Sequence, residues 1–339
     1  MMEALTFRGP RDLECSSRPI PKPGDDELLI RVKAAGICGT DVLVYEGRYG
    51  SIYPLVPGHE FAGVVERAGV AVDGFEAGDR VAAEASWNCG VCRECREGDG
   101  SQCASRVSLG RNRDGAFAEY VTVPARAAHR LPSHVQFQHA QALTTVACAI
   151  HAVRRGQTAI GDRVGIFGPG VAGLVLLEVA LLTGALDVVM FGTRPHRLAL
   201  ARELGATATV NVRDDDWRQQ ANRLAGRAGF DVIFEASGSP LALAQSIDVV
   251  RRGGRVVVYS IYDGPVDGFP AHLFYDKEVT VLGARGGSGG YVPGLDLLAR
   301  EQLRLDPLIS HELPLREAGA GFAMLEHDRD TTARVVLMP

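Results

Sequence analysis

From Asp162 onward the chain alternates short apolar runs with helical patterns, and one glycine-rich turn stands at the first crossing between them. The spacing predicts strands over 163–167, 187–191, 208–212, 231–235 and 255–260, with helices over 171–183, 195–204, 217–225 and 241–250. Parallel strands need a crossover of a dozen or more residues, usually a helix, so this alternation predicts an α/β fold with a doubly wound parallel sheet. Gly168-Pro169-Gly170-Val171-Ala172-Gly173 fits G-x-G-x-x-G. In a chain with 40 glycines a bare match carries little. Here it follows the first apolar strand and opens the first apolar helix. Gly168 permits the tight turn, Gly170 lets the backbone approach a pyrophosphate, and Gly173 lets helix and strand pack closely. Val171 and Ala172 begin the helix whose N-terminal N–H groups would face the phosphates. An ordinary packing turn is the alternative, and this context speaks against it.

The choice of dinucleotide is read about 20 residues further on, where an acidic residue would bond the ribose 2′-OH. The second strand ends in Gly192-Thr193-Arg194, with Arg197 one turn later, and Asp187 lies at the strand's beginning. A small residue, a hydroxyl and guanidinium groups suit a 2′-phosphate. NADP(H) is therefore favoured over NAD(H). The competing reading makes Arg194 and Arg197 solvated charges at a helix start.

The flanks have another texture. Residues 1 to about 140 carry strand candidates at 28–34, 61–66 and 118–123, punctuated by Pro21, Pro23, Pro54, Pro57, Pro124 and Pro132. After Gly283 the alternation loosens, with a helix expected near 294–301 and a strand over 333–337. The reading is one domain interrupted by another: 1–142 with 283–339, and 143–282 between them. A length of 339 residues suits two domains. A net charge of −5 gives no reason to expect nucleic acid as a partner. No apolar run reaches the ~18–20 residues that span a bilayer, and 171–182 carries Glu178, so no membrane partner is expected. The first residues lack the form of a signal peptide, and a cytoplasmic location is the expectation.

Four of the seven cysteines crowd into Cys89-x-x-Cys92-x-x-Cys95-x(7)-Cys103, on a stretch with Gly90, Gly98 and Gly100. Four thiolates satisfy tetrahedral zinc and leave no position for substrate, which describes a structural ion. An iron–sulfur cluster is the rival on ligands alone. A second set is spread wider: Cys38 in Gly36-Ile37-Cys38-Gly39-Thr40-Asp41, and His59-Glu60 in Pro57-Gly58-His59-Glu60-Phe61. Thiolate, imidazole and carboxylate plus water make a catalytic zinc site. Residue types alone leave this open, since Cys38 also reads as a small buried hydrophobe and His59 as a hydrogen-bonded loop histidine.

Taken in order, the Cys38 turn, Pro57-Gly58-His59-Glu60, the four-cysteine lobe and the Gly168–Gly173 turn resemble the zinc-containing medium-chain dehydrogenases. The resemblance runs through Asp231-Val232-Ile233-Phe234-Glu235-Ala236-Ser237-Gly238 to Ile309-Ser310-His311-Glu312-Leu313-Pro314-Leu315, essentially the whole chain. It implies a Rossmann domain inserted in a β-rich, GroES-like catalytic domain, with Ser237 among the residues that contact the dinucleotide. It also implies a catalytic zinc on Cys38 and His59, with Glu60 as ligand or close neighbour, and Thr40 placed to take the alcohol proton. Asp41 would orient His59 or the local backbone.

Two departures stand out. Many relatives carry a further zinc ligand where this chain has Thr144, a poor ligand, and Cys148 is displaced by a helical turn and reads as a buried helix residue. The shell expected is Cys38, His59, Glu60 and water, as in sorbitol dehydrogenase-like members. Leu43 stands where many relatives have a proton-passing histidine, so the relay is expected through the cofactor ribose, water or the substrate itself. The resemblance implies hydride transfer between NADP(H) or NAD(H) and a small-molecule secondary alcohol or its ketone, the alcohol a polyol, sugar or aminocyclitol. Tyr45, Glu46, Arg48 and Tyr49 are candidates for lining a polar pocket. The alternatives are a simple secondary-alcohol or threonine-type dehydrogenase and, in another class, a non-catalytic zinc-stabilised NADP(H)-binding redox sensor. A homodimer or homotetramer is implied, with 256–261 and 279–282 as candidate contact strands.

Overall fold

A computed structural model describes residues 1–98, 100–226 and 228–339. The chain forms two compact units, Met1–Thr145 with Tyr291–Pro339, and Val146–Gly290 set between them in sequence. These limits differ from the 142 and 282 read from sequence, because a single helix, Leu143–Arg155, runs through the first crossing. Its second half holds the segment after 282: Arg154 Nη1 donates to Gly289 O at 2.5 Å and Arg155 Nε to Gly283 O at 3.2 Å. Those carbonyls keep 283–290 with the inserted unit.

In Val146–Gly290 six parallel strands lie in the order Ala208–Asn211, Asp187–Gly192, Arg163–Phe167, Phe230–Glu235, Val250–Val258, Thr280–Gly283. This is the doubly wound sheet expected. The order reverses between Arg163–Phe167 and Phe230–Glu235, which pair from Val164↔Val232 to Phe167↔Glu235. Ligands of open α/β sheets bind beyond the carboxyl ends of the strands at such a reversal. Residues 173–180 of the helix Val171–Leu181 are all buried, which is why that helix is apolar nearly all round, Glu178 apart. Phe167 and Phe191 stack at 4.4 Å in the core beneath the strand ends. Val250–Val258 is internal to the sheet, so of the two segments considered for subunit contact only 279–282 lies at an edge.

In the other unit seven strands form one sheet, ordered Ile309–Pro314, Arg334–Met338, Glu27–Gly36, Glu60–Ala68, Arg80–Ala83, Ala128–Arg130, with Tyr120–Pro124 also on Glu27–Gly36. Phe7, Ile30, Phe61, Val65, Phe117, Phe322 and Val335 fill its core. Burying each such side chain contributes about 1.5–3 kcal/mol. The register of this sheet sets the place of Cys38. Gly36 faces Glu60 on one side and Val336 on the other. Three strand ends therefore meet two residues before Cys38, and the chain's last strand returns 300 residues later to close on them.

Candidate active site

At this meeting of strand ends one ligand atom each from Cys38, His59 and Glu60 lie within 4.8 Å of one another. Each arrives by a different local device. Cys38 caps the helix Gly39–Tyr45, and the Asp41 carboxylate reaches back to accept the Cys38 N–H at 2.9 Å. His59 follows Gly58, whose φ of +92° favours glycine and whose added Cβ would lie 2.3 Å from the Phe117 ring. Glu60 opens the strand Glu60–Ala68 and is 3% exposed.

Asp41 does double duty. Its Oδ1 lies 3.2 Å from His59 Nδ1, which leaves Nε2 as the ring nitrogen free for a ligand. The electrostatics of the cluster suit a cation. Burial, the largest influence on His59, pushes its pKa down, but Asp41 and Cys38 outweigh it and raise the imidazole to about 10. Burial likewise pushes the Cys38 thiol up, and His59 overrides it, leaving the thiol below its usual value. Sulfur, imidazole and carboxylate donors thus converge on one point, and a soft-to-borderline divalent cation fits that donor set.

Glu60 has further partners that sequence reasoning missed. Arg334 Nη1 donates to Glu60 Oε2, Thr145 Oγ1 donates to Glu60 Oε1 at 2.9 Å, and Arg334 Nη2 donates to Thr145 Oγ1 at 2.8 Å. The guanidinium neutralises a carboxylate that burial would otherwise penalise. Thr145, not Thr144, touches Glu60; Thr144 is 6% exposed and its Oγ1 has no hydrogen-bond partner among the described residues. The one sequence signal for Arg334 was an arginine opening an otherwise apolar strand. Thr40 is brought to the cluster, its Oγ1 3.8 Å from Cys38 Sγ. Tyr45 is not free to line a pocket: its ring packs 5.4 Å from Phe7 and 5.2 Å from Phe322. Tyr49 instead lies beneath the Arg111 guanidinium at 4.0 Å.

The second cysteine set also converges. One sulfur each from Cys89, Cys92, Cys95 and Cys103 lie within 4.8 Å of one another, with Cys92 and Cys95 at 3.3 Å and Cys89 and Cys95 at 4.0 Å. A tetrahedral zinc with Zn–S of about 2.3 Å has sulfurs about 3.8 Å apart, so the four fit a single ion rather than a multi-iron cluster with its own sulfides. N–H groups of Val91 and Cys92 face Cys89 and bring its thiol down to about 6. None of the seven cysteines is in a disulfide.

In the inserted unit the glycine-rich turn lies at the sheet's reversal. Gly168 has φ +107°, and a Cβ there would meet Ser237 N at 2.7 Å; a Cβ on Gly173 would meet Gly168 O at 2.0 Å, while Gly170 faces open space. A turn that is tight on its inner side and open at its second glycine fits a pyrophosphate. Gly192 is buried at the tip of its strand, Thr193 and Arg194 are half-buried, and Arg197 is buried within the helix Pro195–Glu203. The backbone N–H and the hydroxyl of Ser237 both turn inward to Glu235.

Comparison with known proteins gives a consistent result. Residues 24–133 match the alcohol dehydrogenase GroES-like domain, and residues 172–300 match the zinc-binding dehydrogenase domain. The chain is 33% identical to the sorbitol dehydrogenase of Halalkalibacterium halodurans, covering 93% of this chain and 94% of that protein. It is 38% identical to the L-threonine 3-dehydrogenase of Deinococcus deserti, covering 90% of each. Among solved structures, a zinc-binding dehydrogenase from Sinorhizobium meliloti bound to NADP superposes with a TM-score of 0.92 at 31% identity, over 100% of this chain and 99% of that one. An alcohol dehydrogenase from Escherichia coli CFT073 complexed with NADH gives 0.94 at 27%, with the same coverage.

Proposed function

The chain belongs to the zinc-containing medium-chain dehydrogenase family, and we propose that it passes a hydride between a secondary alcohol and a nicotinamide dinucleotide, using a zinc ion at Cys38, His59 and Glu60. The convergence of those three side chains, with Asp41 behind His59, is the observation that carries the reading. When bound, zinc supplies the Lewis acidity that lowers the pKa of the substrate hydroxyl, and the nicotinamide supplies the hydride acceptor.

The chain's own residues do the rest. Asp41 fixes the imidazole of His59 by holding Nδ1. Arg334 and Thr145 hold Glu60 and balance its charge when no cation does. Thr40, beside Cys38, relays the alcohol proton, its hydroxyl accepting that proton as it passes its own to water. Gly168, Gly170, Val171, Ala172 and Gly173 receive the pyrophosphate, with Ser237 on the facing turn. Gly192, Thr193, Arg194 and Arg197 favour a 2′-phosphate, and hence NADP(H), because no carboxylate stands at that strand tip. Cys89, Cys92, Cys95 and Cys103 hold a second, structural zinc.

The substrate is best read as a small polyol, sugar or aminocyclitol. Glu46 and Arg48 pair at 2.9 Å, and Arg111 stacks on Tyr49, so the segment after the helix Gly39–Tyr45 is a preformed polar surface. The 38% identity to an L-threonine 3-dehydrogenase favours a second reading, a 3-hydroxy amino acid. The sorbitol, threonine and alcohol dehydrogenases that the chain is similar to are enzymes, which disfavours a non-catalytic sensor. Subunit pairing into a homodimer or homotetramer fits the edge strand Thr280–Gly283, which has a sheet neighbour on one side and is a natural template for a second copy. A single panel tests the whole reading: dinucleotide reduction with polyols, L-threonine and short secondary alcohols, with and without chelator, in wild type and Cys38→Ser. Turnover that chelation and Cys38→Ser both abolish supports it. Full activity in zinc-depleted Cys38→Ser overturns the catalytic zinc.

A further inference from the structure

Glu235 ends the strand Phe230–Glu235 at the sheet's reversal and is fully buried, at 0% exposure. Among the described residues no lysine, arginine or histidine reaches its carboxylate. Its partners are neutral donors. Oε1 accepts from Ser237 N at 2.8 Å, from Gly238 N at 3.1 Å and from Ser237 Oγ; Oε2 accepts from Tyr262 Oη at 2.7 Å. Each oxygen of a carboxyl group can accept more than one such donor, and four donors gathered on one buried group form a stiff arrangement.

The arrangement ties together neighbouring strand ends. Ala236 N donates to Phe167 O at 2.8 Å, which joins the turn to the strand carrying the glycine-rich loop. Ser260 Oγ donates to Glu235 O at 3.1 Å and accepts from Gly238 N at 2.8 Å, which joins it to the end of the next strand. The backbone of 236–237 then stands directly against Gly168, with 2.7–2.8 Å between an added Cβ and Ser237 N, Ala236 C and Ser237 Cα. Any movement of the 236–238 turn is transmitted to Gly168. The N–H of Ser237 is taken by Glu235 and that of Gly238 is shared between Glu235 and Ser260 Oγ, so this turn acts as a wall of the site rather than as an anion cradle.

We propose that Glu235 is a positioning residue for dinucleotide binding: its buried carboxylate pulls the 236–238 turn against Gly168 and fixes the shape of the glycine-rich loop. This rests on reading Val146–Gly290 as the dinucleotide-binding unit. A purely structural carboxylate would lower stability and leave the cofactor affinity of folded protein unchanged. A positioning carboxylate moves that affinity, because a loop held within fractions of an ångström is what binding requires.

The test measures calorimetric Kd values for NADP⁺ and NAD⁺, with cofactor KM and kcat and unfolding midpoints, in wild type, Glu235→Gln and Tyr262→Phe. Glu235→Gln keeps the shape but places two donors where an acceptor stood. The result expected is a Kd and a cofactor KM raised about ten-fold or more for both dinucleotides, with kcat at saturating cofactor within about two-fold. Tyr262→Phe removes one of the four donors and is expected to raise Kd about three-fold. Kd values within two-fold of wild type in the folded variants overturn the proposal. If Glu235→Gln does not fold, an unchanged Kd in Tyr262→Phe does the same. Wild type binding neither dinucleotide overturns the reading of the unit itself, and this inference with it.

Discussion

Arg334 on the last strand donates to Glu60 on a strand 274 residues earlier, and both side chains are 4% exposed. The pair gives the Cys38, His59 and Glu60 cluster a cation of its own before any metal is counted: Arg334 offsets Glu60, while Asp41 lies against His59. Breaking a buried ion pair from one side costs about 3–5 kcal/mol, because the partner is left charged and alone.

Arg334→Met is therefore expected to destabilise the zinc-free protein strongly and the zinc-loaded protein much less. With the guanidinium gone, a bound divalent cation becomes the counter-charge for Glu60. Thermal unfolding with and without added zinc reads this directly, as a larger zinc-induced rise in midpoint for the variant than for wild type. Equal rises in the two proteins would show that Glu60 does not depend on Arg334.

The two sulfur-bearing clusters are independent sites and are expected to empty independently. Metal analysis of purified wild type should give two zinc ions per chain, Cys38→Ser one and Cys103→Ser one. The two single variants should differ in what they lose. Cys38→Ser is expected to keep its fold and lose turnover. Cys103→Ser, which removes the buried sulfur of the lobe, is expected to expose residues 89–103 to limited proteolysis. A Cys38→Ser protein that retains both ions would remove that cluster as a metal site.

Acid sensitivity is expected at Asp231, at the start of the strand that Glu235 ends. Burial, its largest single influence, pushes the carboxyl up, but the Arg163 N–H at 2.8 Å and Arg251 Nε at 2.6 Å outweigh it and hold its pKa below the usual value. A carboxyl with a depressed folded pKa takes up protons more readily when unfolded, near pH 3.9. Its stabilising effect is therefore full above that pH and is lost as pH falls through the lower, folded value. Wild type should exceed Asp231→Asn by about 1–2 kcal/mol in urea unfolding near pH 7, with the gap closing below about pH 4. A gap that stays constant to pH 3 would show that the contact is not ionic.

The legibility of these features in the sequence depended on range. The alternation from Asp162 and the turn at Gly168 are local patterns, readable because period and punctuation repeat within a few residues. The cysteine lobe is equally local. The partners of Glu60 are not: Thr145 lies 85 residues from Glu60 and Arg334 lies 274, joined only by the register that sets Gly36 between Glu60 and Val336. No periodicity encodes that register. The same reason hid the partners of Glu235, a single acid at the end of an apolar run, whose donors come from two turns that meet only in the sheet. The domain limits moved because a continuous helix crosses one of them, and helical pattern carries no mark of which unit a residue joins.

Arg194 carries the remaining prediction. It caps the helix Pro195–Glu203 just past the strand tip at Gly192, half-exposed, where the adenine ribose of a dinucleotide lies in this fold. A guanidinium bonded to a phosphate is worth about 1.5–3 kcal/mol, roughly ten- to a hundred-fold in affinity, and a ribose hydroxyl draws little of that. Arg194→Ala should raise the Kd for NADP⁺ by that factor and leave NAD⁺ within about two-fold. Placing an acid at the neighbouring position, Thr193→Asp, should push further in the same direction, adding repulsion to the lost attraction. Calorimetric Kd values for both dinucleotides, at one fixed ionic strength because the contact is screened by salt, decide it. Equal losses for the two would take the 2′-phosphate away from Arg194.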